Sequence, residues 1–442
     1  MFLELLVVLG CILLGIRLGG IGLGAAGGIG LVILVFGFGL PPGSPPGTVL
    51  GMIVAVITTL AALQSAGGLD YLVHAASGVM AQRPQSIATL APLFSFLLVA
   101  VSGTQHVMYA LMPVIVNVSM KANIRPERAL AMSVVASQYG LICSPIAAVT
   151  VALMAATAGF GLSLGAILTV AIPASIVGMV AGIASTSWKS SVLNEDPEYL
   201  RRIEAGDVAP PTVSAPPTGA ALRNARISLS IFALAIACVV LVGVFPDMRP
   251  TYEIFSAESS ELGQVDTGRA IMMIMLAAAG LIMLFCKVKP DEAVRGSIMR
   301  GGIVALISIL GVSWMGSSFF EGNRNEIVTG VAELIKAYPW VLALGLFVMS
   351  VLLMSQAATV TVLIPVAVAL GLPASAIIGA FPAVNGMFFL PTYGTVLAAV
   401  SFDSTGSTRI GKYLLNHSFM LPGLVTLVAS TLTAMLIAQF VL

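Results

Sequence analysis

Long apolar runs alternate with short polar gaps along almost the whole chain. They cover roughly residues 2–16, 21–38, 47–65, 86–101, 106–120, 128–160, 165–186, 226–246, 268–286, 302–320, 338–354, 357–371, 374–402 and 413–440. A helix that crosses a bilayer needs about 20 apolar residues, with tolerance from about 17 to 25. Several of these runs are shorter, and two, 128–160 and 374–402, are longer and hold a proline-bearing break. The pattern predicts an all-α polytopic membrane protein in which some helices stop short of a full crossing. Two further stretches read as amphipathic helices at the membrane interface: 68–82, around Asp70, Tyr71 and His74, and 325–337, around Glu326, Glu333 and Lys336.

The polar stretch 187–225, with Arg201-Arg202, Pro210-Pro211 and Pro216-Pro217, has the composition of a flexible linker and divides the chain near its middle. The two parts look alike. Residues 1–186 form a first transmembrane repeat, with scaffold helices in 2–65 and a hairpin and broken helix in 86–160. Residues 226–442 form a second, with scaffold helices in 226–320 and a hairpin and broken helix in 338–402. Ser102-Gly103-Thr104-Gln105 precedes Leu111-Met112-Pro113-Val114, as Ser355-Gln356 precedes Leu363-Ile364-Pro365-Val366. Gly140 stands five residues before Pro145, and Gly386 five before Pro391.

Charge orients this pattern. With the N-terminus outside and the hairpins turning back at their tips, every Lys and Arg except Arg249, Arg269, Arg324 and Lys336 falls in an inside loop. The positive-inside rule selects this orientation, with both termini periplasmic. The two repeats then run with inverted topology, an architecture of secondary transporters. Met1-Phe2-Leu3-Glu4 lacks the basic segment of a cleaved leader, so the first run is expected to remain a membrane helix.

Composition agrees: 58% of residues are hydrophobic, 9% are charged and mean hydropathy is +1.05, against about 25% charged in a soluble domain. A net charge of +1 gives no electrostatic case for nucleic acid. Cys11, Cys143, Cys238 and Cys286 each lie in an apolar run without metal-ligand spacing and read as small buried hydrophobes. No nucleotide-binding loop, metalloprotease motif or paired catalytic carboxylates occur in a plausible context, and the three histidines are scattered, which argues against an enzyme. Glu4 is the only acidic residue inside an apolar run, which weakens a cation antiporter or proton pump.

The candidate chemistry sits where apolar runs are interrupted. Ser102, Gly103, Thr104 and His106 form one interruption, and Ser355 and Gln356 the other. A tip at membrane depth opens a new helix, whose free N–H groups and positive dipole end attract anions. Ordinary interhelical turns with N-caps are the alternative. Ser144-Pro145 reads as a second kind of interruption, with Ser144 as N-cap and Pro145 at the first helical position. Asn385, Pro391, Thr392 and Tyr393 are its counterpart. Simple proline kinks are the alternative there. Four half-helix ends near the midplane could meet two carboxylates without a buried Arg or Lys. His106 could donate to a carboxylate or exchange a proton, or be a structural histidine; His74 and His417 read as structural. Arg125-Pro126-Glu127-Arg128 is either a topology anchor or an anion-attracting entrance.

Several segments resemble the anaerobic C4-dicarboxylate transporter (Dcu) family. They include Gly19-Gly20-Ile21-Gly22-Leu23-Gly24, Gly27-Gly28-Ile29-Gly30, Ser102-Gly103-Thr104 with His106 and Tyr109, and Asn123-Ile124-Arg125-Pro126-Glu127-Arg128. Ser355-Gln356-Ala357-Ala358, Leu390-Pro391-Thr392-Tyr393, Arg409-Ile410-Gly411 and Asn416-His417-Ser418-Phe419 belong to the same resemblance. Gly394-Thr395-Val396 stands where DcuB-type members have Pro-Ser-Asp, whose acidic residue is associated with a sensing role, so the chain is more DcuA-like. The resemblance implies exchange or uptake of fumarate, succinate, malate and aspartate across the bacterial inner membrane, by an elevator-like movement of a hairpin-bearing domain. It carries the site to Ser102, Gly103, Thr104, His106, Ser355 and Gln356 at the tips and to Pro145, Pro391, Thr392 and Tyr393 at the breaks. A carrier for another small anion, such as citrate, sulfate or arsenite, is the alternative on this architecture. The expected partners are a dicarboxylate, membrane lipid and, compatibly, a second copy of the chain. No cofactor is expected beyond a co-transported Na⁺ or H⁺.

Overall fold

A computed structural model of the chain describes residues 1–18, 21–45, 47–186, 192–208, 218–255, 260–323, 326, 338, 340–391, 393–410 and 416–442. The interfacial helix expected at 325–337 lies almost entirely outside the described residues. Among them, seven helices are long and apolar enough to cross a membrane, and six apolar helices are shorter. The chain is a multi-pass helical membrane protein.

One group of helices comprises Phe2–Leu18, Gly22–Val32 with a π-turn over Ile33–Gly37, Gly47–Ser65, Gly219–Val244, Thr267–Cys286 and Ser297–Gly322. Its tightest crossing is built from glycine. A Cβ on Gly24 would stand 2.1 Å from the Ile307 carbonyl oxygen, and one on Gly27 2.5 Å from the Gly311 carbonyl carbon. In lipid, apolar burial does not drive helices together, so close backbone approach at small residues supplies the packing.

The second group contains the interruptions. The first hairpin has arms Ile87–Ser102 and Val107–Lys121, and the second Trp340–Leu353 and Gln356–Ala369. The first broken helix comprises Pro126–Ile142 and Ala148–Ala156. The second runs from Ala374–Ala380 through short 3-10 turns to Phe388 and resumes as Gly394–Phe402. Leu164–Ser185 and Met420–Val441 pack side by side in this group, and the stretch with the amphipathic pattern forms a helix, Gly68–Gln82.

The paired glycines do the same job in both halves. A Cβ on Gly140 would stand 2.7 Å from the Phe96 carbonyl oxygen, and one on Gly386 2.9 Å from that of Phe347. Phe96 lies eight residues before Thr104, and Phe347 eight before Ser355. Each broken helix is thus pressed against the first arm of its own hairpin at an equivalent depth.

Three details depart from the sequence reading. The first break is wider than a proline restart. The helix resumes at Ala148 with Ala147 at its N-cap, so Ser144 is not the cap. Thr150 Oγ1 reaches back 3.2 Å to the Leu141 carbonyl and 3.4 Å to that of Ile142, satisfying acceptors that the gap exposes. The chain is also not wholly α. Thr251–Phe255 and Ser260–Gln264 form an antiparallel ribbon, Thr251 opposite Gln264, in the loop between two long helices.

The mid-chain linker, finally, carries an anchored helix, Pro197–Ala205. Asp196 caps it, accepting the Glu198 and Tyr199 N–H groups at 2.9 and 3.2 Å, with Pro197 at the first helical position. Asp196 also pairs with Arg125. The Leu193 and Asn194 N–H groups each donate to Asn123 at 3.0 Å, and Arg202 donates to the Ser404 carbonyl at 3.3 Å. The Arg201 and Arg202 guanidiniums hydrogen-bonded to Glu198 hold its carboxyl down at about 2. Composition hid this helix because four of its nine residues are charged and it sits in a polar, proline-rich stretch.

Candidate functional site

Both hairpin tips end their first arm on a left-handed residue. Gly103 has φ +66° and Met354 has φ +48°. Gly103 has no room for a side chain, since a Cβ would stand 2.8 Å from Ile146. For Met354 the conformation costs roughly 1–2 kcal/mol. The next residues, Thr104 and Ser355, turn the chain into the second arm. Ser355 is a side-chain N-cap, accepting the Ala358 N–H at 3.2 Å. Thr104 Oγ1 accepts the His106 N–H at 3.2 Å and lies 2.8 Å from His106 Nδ1. With that hydroxyl donating to Nδ1, the ring proton sits on Nε2. Nε2 faces Gly301, where a Cβ would stand 2.3 Å away.

The glutamines after Thr104 and Ser355 tie the two halves together. Gln105 accepts from Tyr393 Oη at 2.8 Å and donates to Ser137 Oγ at 2.9 Å. Gln356 donates to the Gln138 carbonyl at 3.0 Å and to Asn385 Oδ1. Asn385 in turn donates to the Pro382 carbonyl at 3.0 Å. Each tip is therefore held by both broken helices, including the one from the opposite half of the sequence.

Between these elements lies a cavity of about 380 Å³, a size ordinary for small-molecule sites. The tips contribute Gly103, Thr104, Gln105 and His106 on one side and Met354, Ser355 and Gln356 on the other. The breaks contribute Ala147, Ala148, Met387 and Tyr393, and the glycine-packed group of helices closes the wall with Gly15, Leu23, Gly301 and Ser308. Among the described residues, no Lys, Arg, Asp or Glu lines it. The N-termini of Val107–Lys121, Ala148–Ala156, Gln356–Ala369 and Gly394–Phe402 all begin at its wall. Each such end is worth about 0.3–1 kcal/mol to a nearby anion, and up to about 2 when partly buried. The described residues offer the cavity N–H groups, hydroxyls and an imidazole.

Of the candidates from sequence, Gly103, Thr104, His106, Ser355, Gln356 and Tyr393 line the cavity. Ser102, Ser144, Pro145, Asn385 and Pro391 are buried behind it. Ser102 Oγ donates to the Thr104 carbonyl at 3.2 Å, and Ser144 Oγ lies beneath Gly103 with no hydrogen-bond partner among the described residues. Thr392 lies outside the described residues. Sequence reasoning passed over Gln105, Gln138, Ser137, Gly301 and Met354. His417, which the sequence reads as structural, accepts the Phe419 N–H on Nδ1 at 3.3 Å, and its Nε2 lies 3.1 Å from the Phe389 carbonyl, bracing the second break. Only the Ser355-Gln356 and Thr104-Gln105 pairing, visible once the tips are aligned, could have flagged the glutamines.

Tyr393→Phe tests the cross-link. It leaves Gln105 Oε1 buried without its donor, at about 1–3 kcal/mol. The half-saturating concentration of a transported anion should rise about tenfold, 1.4 kcal/mol being a factor of ten. Adding Gln105→Ala should cost little more than the worse single change, because the two act through one bond.

The sequence matches the family described as anaerobic C4-dicarboxylate membrane transporters across residues 1–442. It is 37% identical to the C4-dicarboxylate transporter DcuA of Wolinella succinogenes, over 99% of both chains. It is equally identical, 37% over 99% of both chains, to DcuA of Escherichia coli K12. An Escherichia coli anaerobic C4-dicarboxylate transporter DcuB is 36% identical over 96% of this chain and 95% of its own. Among solved structures, the YdaH transporter of Alcanivorax borkumensis has the same fold, with TM-score 0.58 at 16% identity, covering 92% of this chain and 87% of its own. So does MtrF of Neisseria gonorrhoeae, with TM-score 0.58 at 12% identity, covering 92% and 82%. The match over the full length of the sequence, with relatives 37% identical over 99% of both chains, shows that the chain belongs to the family of anaerobic C4-dicarboxylate membrane transporters.

Proposed function

We propose that this protein exchanges or takes up C4-dicarboxylates (fumarate, succinate, malate and aspartate) across the bacterial inner membrane by alternating access, with both termini periplasmic. One observation carries the reading: four helix N-termini surround a cavity of about 380 Å³ that, among the described residues, no charged side chain lines. Two carboxylates would be met there by N–H groups and by Thr104, Ser355 and His106, with Ser102, Ser144, Pro145, Asn385 and Pro391 shaping the tips and breaks behind.

The matched spacing of tips, breaks and glycines in the two halves favours inverted repeats. The hairpins and broken helices would move as one body against the glycine-packed helices, like an elevator. His106 against Gly301 and the 2.5 Å Ser313 Oγ–Thr361 Oγ1 bond lie on the boundary between the two bodies. The cavity wall includes Gly15 and Gly301, two residues before Arg17 and one after Arg300. With basic residues inside, the cavity faces the cytoplasm. Bound dianion would neutralise the dipole ends and ease the crossing, whereas the empty site would resist it, favouring exchange over leak.

Proteoliposomes loaded with labelled fumarate test this. Efflux should accelerate at least tenfold when unlabelled succinate or aspartate is added outside. Equal rates with and without outside dicarboxylate would overturn exchange, and indifference to every C4-dicarboxylate would favour another anion. Varying Na⁺ and pH separately in the same vesicles reads the coupling ion.

A further inference from the structure

We infer that Met354 is a specificity-determining residue whose side chain gauges the length of the dianion accepted between the two tips; this rests on the transport reading above. Met354 occupies the place at the second tip that Gly103 occupies at the first. Each ends the first arm of its hairpin, each is left-handed, and each stands directly before the hydroxyl residue, Thr104 or Ser355. Glycine takes this conformation without penalty, so the turn itself does not call for a methionine. A strained residue persists where its side chain serves the site.

Two other non-glycine residues with positive φ occur among the described residues. Asn123 belongs to a type that tolerates the conformation, and its Oδ1 accepts the Asn194 N–H at 3.0 Å. Lys287 lies in a polar loop between two long helices. Met354 differs from both in setting an apolar side chain against the cavity.

The cavity gives that side chain a task. The polar groups and helix N-termini lie at the tips and breaks, while Leu141, Val149, Val304, Met387 and Met354 supply apolar wall. With both carboxylates held at helix ends, the carbon chain between them lies along this wall. An extra methylene has to be accommodated along this wall, of which Met354 is part. An unbranched thioether packs closely against a flexible carbon chain, and discrimination by one methylene is worth about 10- to 200-fold.

Counterflow of labelled succinate into succinate-loaded proteoliposomes, with unlabelled malonate, succinate, glutarate or adipate as competitor, reads this directly. The wild type should reject glutarate relative to succinate. Met354→Gly should lower the half-inhibitory concentration of glutarate, relative to that of succinate, by about tenfold. Met354→Leu, which keeps the bulk, should retain the wild-type ratio. An unchanged ratio in Met354→Gly overturns the inference, above all if melting rises from relief of strain, since a purely structural role would give that result. Should the glycine variant not be recovered, Met354→Asn makes the same comparison, because asparagine also tolerates the left-handed turn. Failure of the reading beneath is distinct: the wild type itself would then show no succinate counterflow.

Discussion

Gln356→Glu should abolish dicarboxylate transport while leaving protein in the membrane. The side chain is 3% exposed, and its amide donates both to the Gln138 carbonyl and to Asn385 Oδ1. A carboxylate keeps the shape and removes the donors, so three acceptors face one another in a low-dielectric interior. Each buried acceptor left unmet costs about 1–3 kcal/mol, and the new negative charge stands at the wall of the proposed anion site. Uptake of labelled succinate should fall by about two orders of magnitude, roughly 3 kcal/mol at a tenfold step per 1.4 kcal/mol. Immunoblotting of membranes should find the variant at near wild-type abundance. Retained uptake would show that the second tip is not held by this amide.

Gly27→Val should be far more damaging than Gly28→Val, although the two glycines are adjacent. A Cβ on Gly27 would lie 2.5 Å from the Gly311 carbonyl carbon and 2.7 Å from both the Gly311 oxygen and the Val312 nitrogen, all backbone atoms of the facing helix. Backbone cannot yield as a side chain can, so the helices must separate, and Gly24 loses its approach to Ile307 with them. Overpacking of a tight core costs typically about 1–3 kcal/mol and sometimes more; here two packed helices must shift. At Gly28 nothing lies within 4 Å, and its backbone is helical. Valine there should be neutral or slightly stabilising, since glycine is a poor helix former. Thermal unfolding in detergent should show Gly27→Val melting about 10 °C lower, or not recovered, on a scale of about 2–4 °C per kcal/mol. Equal melting of the two variants would contradict the packing.

The sequence made the element order legible because lipid demands long apolar runs, and glycine, serine and proline punctuate them in fixed ways. Pro126 opens a helix, Ser355 caps one, and the spacing from Gly140 to Pro145 and from Gly386 to Pro391 marks equivalent breaks. The residues that assemble the site were less legible. Gln105 and Tyr393 are distant in sequence, as are Gln138 and Gln356, and a lone polar residue in an apolar run does not name its partner. Gly301 contributes only the absence of a side chain beside His106, which no pattern announces. Ser144 reads as a cap because serine before proline usually opens a helix, but Thr150 bonds across a wider gap instead. The linker helix did carry a readable start signal, Asp196-Pro197, that its polar composition masked.

The crossed glutamine contacts have a consequence for biogenesis. As the chain leaves the ribosome, Gln105 and the Gln138 carbonyl enter the membrane long before Tyr393 and Gln356 have been translated. Until then these polar groups have to be shielded by the insertion machinery, by water or by one another. A nascent chain stalled before residue 356 is therefore expected to be a target for membrane quality control, and the first tip to become protease-resistant only once synthesis has passed residue 393.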